Sequence, residues 1–329
     1  MNRRHFVAAL TAGGLISHGA AFAAPLHPAR RAPNDARPRL FDAHIHFFTN
    51  DQARYPMDMR NSREPEEIMR RRVMRDPGTP ERVFPLWREN GVQAGAGVQY
   101  NGAYKADNRY VLDLADSYPD LIAAEIIVNA RDPDAPAVVE AAVRERRVSA
   151  LRLTGFADEA GAYPWLDSGH ALRIWRLAER TGLPVGITYL PPRPAAAAFR
   201  SIAGLATRFP GATIIFEHLG WTDPDGQDGL SSLHAALRPF ANVLFKWTSI
   251  NIGQLVETGF STSAFLRRAV DLFGADRLMW GSDFGNTLRP YEGMVADAIG
   301  ATAGLSAAER NQVLYETGAL VFSRARVDA

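Results

Sequence analysis

The chain contains no cysteine. That excludes a disulfide framework, a thiolate metal site and a cysteine nucleophile, and it makes the fold indifferent to the redox state of its compartment. Lysine is nearly as scarce: of 37 basic residues, all but Lys105 and Lys246 are arginines. There is no bulk charge either. Lys+Arg 37 against Asp+Glu 36 leaves +1 at pH 7, a balance that draws no polyanion, so nucleic acid is not an expected partner. No glycine-rich phosphate loop, serine nucleophile elbow or nucleic-acid motif occurs. What is present is ordinary for a soluble globular protein: 329 residues, 47% apolar and 22% charged, enough for one large domain or two small ones.

The first 24 residues stand apart from the rest. Arg3-Arg4 precede a short, weakly apolar Ala/Gly-rich segment, and Ala21-Phe22-Ala23 offers a small-x-small cleavage site. The pattern resembles a twin-arginine export signal, so delivery to the periplasm is expected. The apolar segment is too short to span a bilayer, so no membrane insertion is expected after cleavage. Loss of Arg3 and Arg4 would leave 35 basic against 36 acidic residues. Residues 25–38 carry four prolines and no hydrophobic period, and are expected to be a disordered leader to a domain at 39–324.

Phe41-Asp42-Ala43-His44-Ile45-His46 is the most informative stretch. In a regular strand His44 and His46 share a face, with Asp42 below them and Phe41, Ala43 and Ile45 on the other side. Two imidazoles fixed side by side make a pair of metal ligands or a polar clamp for a substrate. Further strands are expected at 92–98, 121–128, 148–153, 184–189, 212–217, 242–247 and 277–281. Amphipathic helical segments alternate with them at 80–89, 107–117, 135–146, 169–180, 195–208, 229–237 and 262–273. Eight strands alternating with helices, without an antiparallel block, predict a (β/α)8 TIM barrel. The segment 47–85 is too long for a simple strand-to-helix loop and is expected to be a lid or pocket wall over the mouth.

Later strands end in matching chemistry. Glu217-His218-Leu219-Gly220 places a third imidazole at the end of strand six, and Gly281-Ser282-Asp283 closes strand eight with a carboxylate that can bind metal or take a proton from water. Asp283 has a structural competitor, a helix N-cap. Arg152 and Lys246 are cations on strands and need partners, either a substrate oxygen, the expectation carried for both, or Asp42 and Asp283. Gln99, Tyr189 and Trp221 follow strand ends and are candidate pocket residues, as are Tyr100, Arg193, Trp247, Asn251 and Arg289. His170 and His234 fall on helices and are left out.

Taken together these motifs resemble the amidohydrolase superfamily over residues 39–324, in particular the branch containing 2-pyrone-4,6-dicarboxylate lactonase and sugar-lactone hydrolases. The resemblance rests on Asp42–His46, Glu217–Gly220, 242–246 and 277–284, with weaker support at Val98-Gln99, 107–110 and 150–153. It implies that His44, His46, His218 and Asp283 surround the reacting carbonyl. One departure is the absence of a histidine on strand five, which reads Pro184-Val185-Gly186-Ile187-Thr188-Tyr189. Three histidines and an aspartate can still hold one divalent ion, zinc or manganese, and the branch also includes enzymes without a tightly held metal. The function implied is opening of a lactone on a small polar or carboxylated substrate by activated water. The competing expectations are a metal-dependent decarboxylase and a non-catalytic periplasmic binding protein. Oligomeric state is left open.

Overall fold

The computed structural model describes residues 37–60 and 64–324. The export signal at 1–24, and the leader at 25–38 apart from Arg37 and Pro38, lie outside the described residues. Eight strands pair in parallel in chain order: β1 Leu40–Ile45, β2 Val92–Val98, β3 Ile122–Ile127, β4 Val148–Phe156, β5 Val185–Leu190, β6 Ile214–Phe216, β7 Val243–Thr248 and β8 Leu278–Gly281. The chain just beyond β8 returns to β1 through Asp283 N to His44 O at 2.7 Å and His46 N to Phe284 O at 3.0 Å, which closes the barrel. Helices such as Ala171–Thr181 and Ala196–Arg208 cover the strands with apolar faces, Ile174 and Trp175 of the first being fully buried. A TIM barrel is therefore what the alternation of strands and helices produces. No helix among the described residues is long and apolar enough to cross a membrane.

Four departures from the sequence reading bear on the site. First, β1 is not a regular strand. Asp42 pairs with Gly95 but Ile45 with Gly97, so β1 carries one extra residue against β2. This bulge inverts the alternation below the histidines. Phe41 and Ala43 join the small cluster around Phe322, whose ring stacks on Phe41 at 5.9 Å. Asp42 leaves the histidine face and instead accepts bonds from Ser282 N at 2.8 Å and Tyr291 Oη at 2.9 Å. Second, β6 is only three residues long, because His218 and Leu219 take positive φ of 51° and 52°. Third, β4 runs to Phe156, three residues past its expected end. Fourth, the expected helix at 229–237 shrinks to the single turn Ser232–Ala235.

Candidate active site

His44 lies near the end of β1, and the other central side chains are held just past strand ends. His46 Nδ1 lies 2.9 Å from Val98 O; a carbonyl can only accept, so Nδ1 carries the proton and Nε2 presents its lone pair. That Nε2 is 3.3 Å from His44 Nε2 and 3.4 Å from Asp283 Oδ1. His44 Nε2 is 3.5 Å from the same Oδ1. His218 stands beside His44, with ring centroids 5.1 Å apart, and its Nδ1 is 2.8 Å from Thr248 Oγ1. The left-handed backbone at His218 is pinned by Asn251, whose Nδ2 donates to His218 O at 2.8 Å. Asp283 also sits at positive φ, 54°. Non-glycine residues in this region are strained and are held there by their surroundings. Asp283 does not cap a helix: the next one starts at Tyr291 behind Pro290. Its Oδ2 accepts from Thr287 Oγ1 at 2.7 Å and Asn286 Nδ2 at 3.1 Å, while Oδ1 is buried without a hydrogen-bond donor.

Electrostatics then demand a positive charge at the centre. Lone pairs of His46 Nε2 and Asp283 Oδ1 face each other, and His44 Nε2 completes the triangle. His44 Nδ1 faces the Glu217 carboxylate at 3.4 Å, so a proton placed there leaves Nε2 as a third lone pair. A proton shared among these atoms, or a cation, removes the repulsion. Ligand atoms of His44, His218 and Asp283 all lie within 4.8 Å of one another, a nitrogen–nitrogen–oxygen set suited to zinc or manganese. Burial, against the pull of Glu217, keeps the His44 imidazole well below its ordinary pKa, and burial takes His218 down to about 4. Both rings are neutral at neutral pH, the form in which histidine binds metal. Burial works against ionisation of Asp283, but its contact with His46, favourable when a proton lies between the two, and those with His218 and Thr287 outweigh it and hold the carboxyl below its usual value.

A buried charge network lies beneath the histidines. Glu217 Oε2 accepts from Arg152 Nε at 2.9 Å and Nη2 at 2.8 Å, and from the Thr188 hydroxyl. Lys246 Nζ bonds Glu125 Oε2 at 2.5 Å and Glu217 Oε1 at 3.2 Å, and stands 5.3 Å over the Phe322 ring. Burial alone would raise Glu217, yet Arg152 and Lys246 hold it well below the usual carboxylate range; burial raises Glu125.

A cavity of about 530 Å³ opens above this centre. His46, His218, Asp283, Arg152 and Trp221 border it, and Trp221 stacks on His218 at 4.8 Å. From the 47–85 segment, Glu64 and Met69 reach its wall. Three residues expected to touch substrate do not reach it. Lys246 is fully buried, and its partners are Glu125 and Glu217 rather than Asp42 or Asp283. Tyr189 is fully buried and donates to Gly220 O at 2.9 Å, so it supports the loop carrying Trp221. Gln99 donates to Asp107 O at 2.6 Å and Lys105 O at 3.3 Å, bracing the loop behind the mouth. His234, set aside as a helix residue, holds Trp221 O through Nε2 at 3.1 Å. Glu125 and Glu217 were not singled out from sequence; the signal was a carboxylate on an inner-face parity opposite Arg152 and Lys246.

Comparison with known proteins gives the family and the fold. The model of the family described as Amidohydrolase matches residues 41–323. The L-fucono-1,5-lactonase of Burkholderia ambifaria is 28% identical over 264 residues, covering 74% of this chain and 79% of that protein. A structure from Pseudomonas putida, described as a proposed 2-pyrone-4,6-dicarboxylic acid hydrolase, superposes with TM-score 0.67 at 20% identity over 89% of this chain and 100% of its own. The 2,6-dihydroxybenzoate decarboxylase from Rhizobium does so with TM-score 0.63 at 14% identity, over 88% and 99%. At those identities the two structures speak for the fold alone. The family match spans nearly the whole barrel and includes every residue of the histidine–aspartate centre: this chain belongs to the amidohydrolase family.

Proposed function

We propose that the protein opens a sugar-type lactone by attack of water, releasing a hydroxy acid. The observation that carries the reading is Asp283 Oδ1, an ionised and otherwise unpartnered carboxylate oxygen at the floor of the cavity among three histidines. Asp283 takes a proton from water, and the resulting hydroxide attacks the lactone carbonyl carbon. The Arg152 guanidinium, which borders the cavity, stabilises the oxyanion that forms. When the intermediate collapses, the ring carbon–oxygen bond breaks and the departing alkoxide takes the proton back from Asp283. Water is consumed and no other reactant is needed. Arg152 spends Nε and Nη2 on Glu217, which leaves Nη1 without a protein acceptor among the described residues and available to a substrate oxygen.

His44, His218 and Asp283 would hold a divalent ion if one binds, with His46 alongside. Such an ion supplies Lewis-acid polarisation of a carbonyl and lowers the pKa of bound water. Similarity to a fuconolactonase supports a polyhydroxylated lactone as the small-molecule substrate. We further propose that the 47–85 segment acts as the outer wall of the pocket, and that the chain works in the periplasm after twin-arginine export.

The test is a panel of aldonolactones followed by a pH indicator, with product masses and metal content of the purified protein measured together. Acid release with the gain of one water supports the proposal. Carbon dioxide release from aromatic acids without water addition, and no turnover of any lactone, would transfer the site to a decarboxylase.

A further inference from the structure

β4 is the longest strand of the barrel, and its extra length is built into the mouth. Arg152, Thr154 and Phe156 alternate onto one face, and all three border the active-site cavity. At the usual strand rise Phe156 stands about 13 Å above Arg152. That is farther than a single six-membered ring reaches from the catalytic floor. Phe156 is 59% exposed, so its ring faces open space at the rim. Its backbone is fixed by Trp165, whose Nε1 donates to Phe156 O at 2.8 Å; Trp165 packs so closely on Gly155 that a Cβ there would meet the indole nitrogen at 2.7 Å.

Beside Phe156 lies a second cavity of about 270 Å³. The two share Asn101, Lys105, Thr154, Phe156 and Leu190, and Asn129 lines the outer one. Lys105 forms no ion pair among the described residues, unlike Lys246. It sits at positive φ of 52°, braced by Gln99 through its carbonyl oxygen. The buried Gln99 holds this backbone at the cavity rim, from which the Lys105 side chain extends.

We propose that this rim is a second subsite, which takes a sugar ring attached to the lactone, so that the preferred substrate is the aldonolactone of a disaccharide. The apolar C–H face of a pyranose packs on an aromatic ring, while its hydroxyls take hydrogen bonds from the edge, here from Lys105 and the carboxamides of Asn101 and Asn129. The lactone ring then occupies the floor and the second ring the rim. The inference rests on the lactonase reading for the bond cleaved, but not for the binding of the second ring.

Titration calorimetry with ring-opened aldonates separates the two. The disaccharide aldonate should bind the wild-type protein at least about tenfold more tightly than the monosaccharide aldonate, and Phe156→Ala and Lys105→Ala should each remove most of that preference. Phe156→Leu, which keeps an apolar surface, should restore part of it. Equal affinity of the two aldonates for wild type, or a preference that survives both alanine variants, overturns the subsite. Hydrolysis of single-ring lactones by the same preparations reports on the lactonase reading independently.

Discussion

Lys246→Met distinguishes a buried structural cation from a substrate contact. Lys246 is fully buried, with Glu125 at 2.5 Å and Glu217 at 3.2 Å, and the methionine side chain fills a similar volume over Phe322. Removing one member of a buried pair typically costs about 3–5 kcal/mol, because the partner charge is stranded. Two features of this network place the loss near the lower end. Glu217 keeps Arg152, and Glu125, already raised by burial, can escape its stranded charge by taking a proton. The loss should therefore be about 3 kcal/mol near neutral pH, or about 6 °C in Tm for a domain of this size. Urea unfolding measures it directly. Lys246→Met/Glu125→Leu, which removes both members, should recover most of the loss. A Lys246→Met protein within about 1 kcal/mol of wild type, with a raised KM on a confirmed substrate, would refute the structural assignment.

Two further predictions follow from residues outside the catalytic centre. His234 is held neutral, since Ser231 N donates to its Nδ1 at 3.0 Å while its Nε2 serves Trp221 O; burial takes its pKa to about 4 from an ordinary 6.5. Its contribution is fully present above pH 6.5 and is lost as pH falls toward 4, because the unfolded chain takes the proton first. Between pH 7.5 and 5, wild type should therefore lose about 2 kcal/mol more stability than His234→Gln, and equal losses by urea unfolding would contradict a His234 buried in its neutral form. Replacing Arg3 and Arg4 together by lysine should leave precursor in the cytoplasm, as read by fractionation and immunoblotting; unchanged periplasmic delivery would show that export does not depend on the arginine pair.

Barrel architecture was legible because β-runs and amphipathic helices repeat along the chain, and each strand found begins within a few residues of its expected position. His44, His46, His218 and Asp283 were legible because each closes a strand, and the structure brings them into one centre. The failures have local causes. Strict alternation placed Asp42 under the histidines, and a single bulge residue sent it to Tyr291 instead. Lys246 was assigned to substrate because its carboxylate partners, Glu125 and Glu217, lie 121 and 29 residues away on other strands. Gln99 follows β2 as expected and Tyr189 lies within β5, but their polar atoms are taken up by backbone carbonyls. Periodicity shows which face a side chain occupies, not which neighbour has already claimed it.

The central claim is that Asp283 activates water against a lactone carbonyl, and Asp283→Asn tests it most directly. Asparagine keeps the size of the side chain and can still bond Thr287, but it cannot accept a proton from water. With an aldonolactone confirmed as substrate, kcat should fall by about 10²–10⁴-fold while the far-ultraviolet circular dichroism is unchanged. A folded Asp283→Asn protein with near-wild-type kcat would contradict the account.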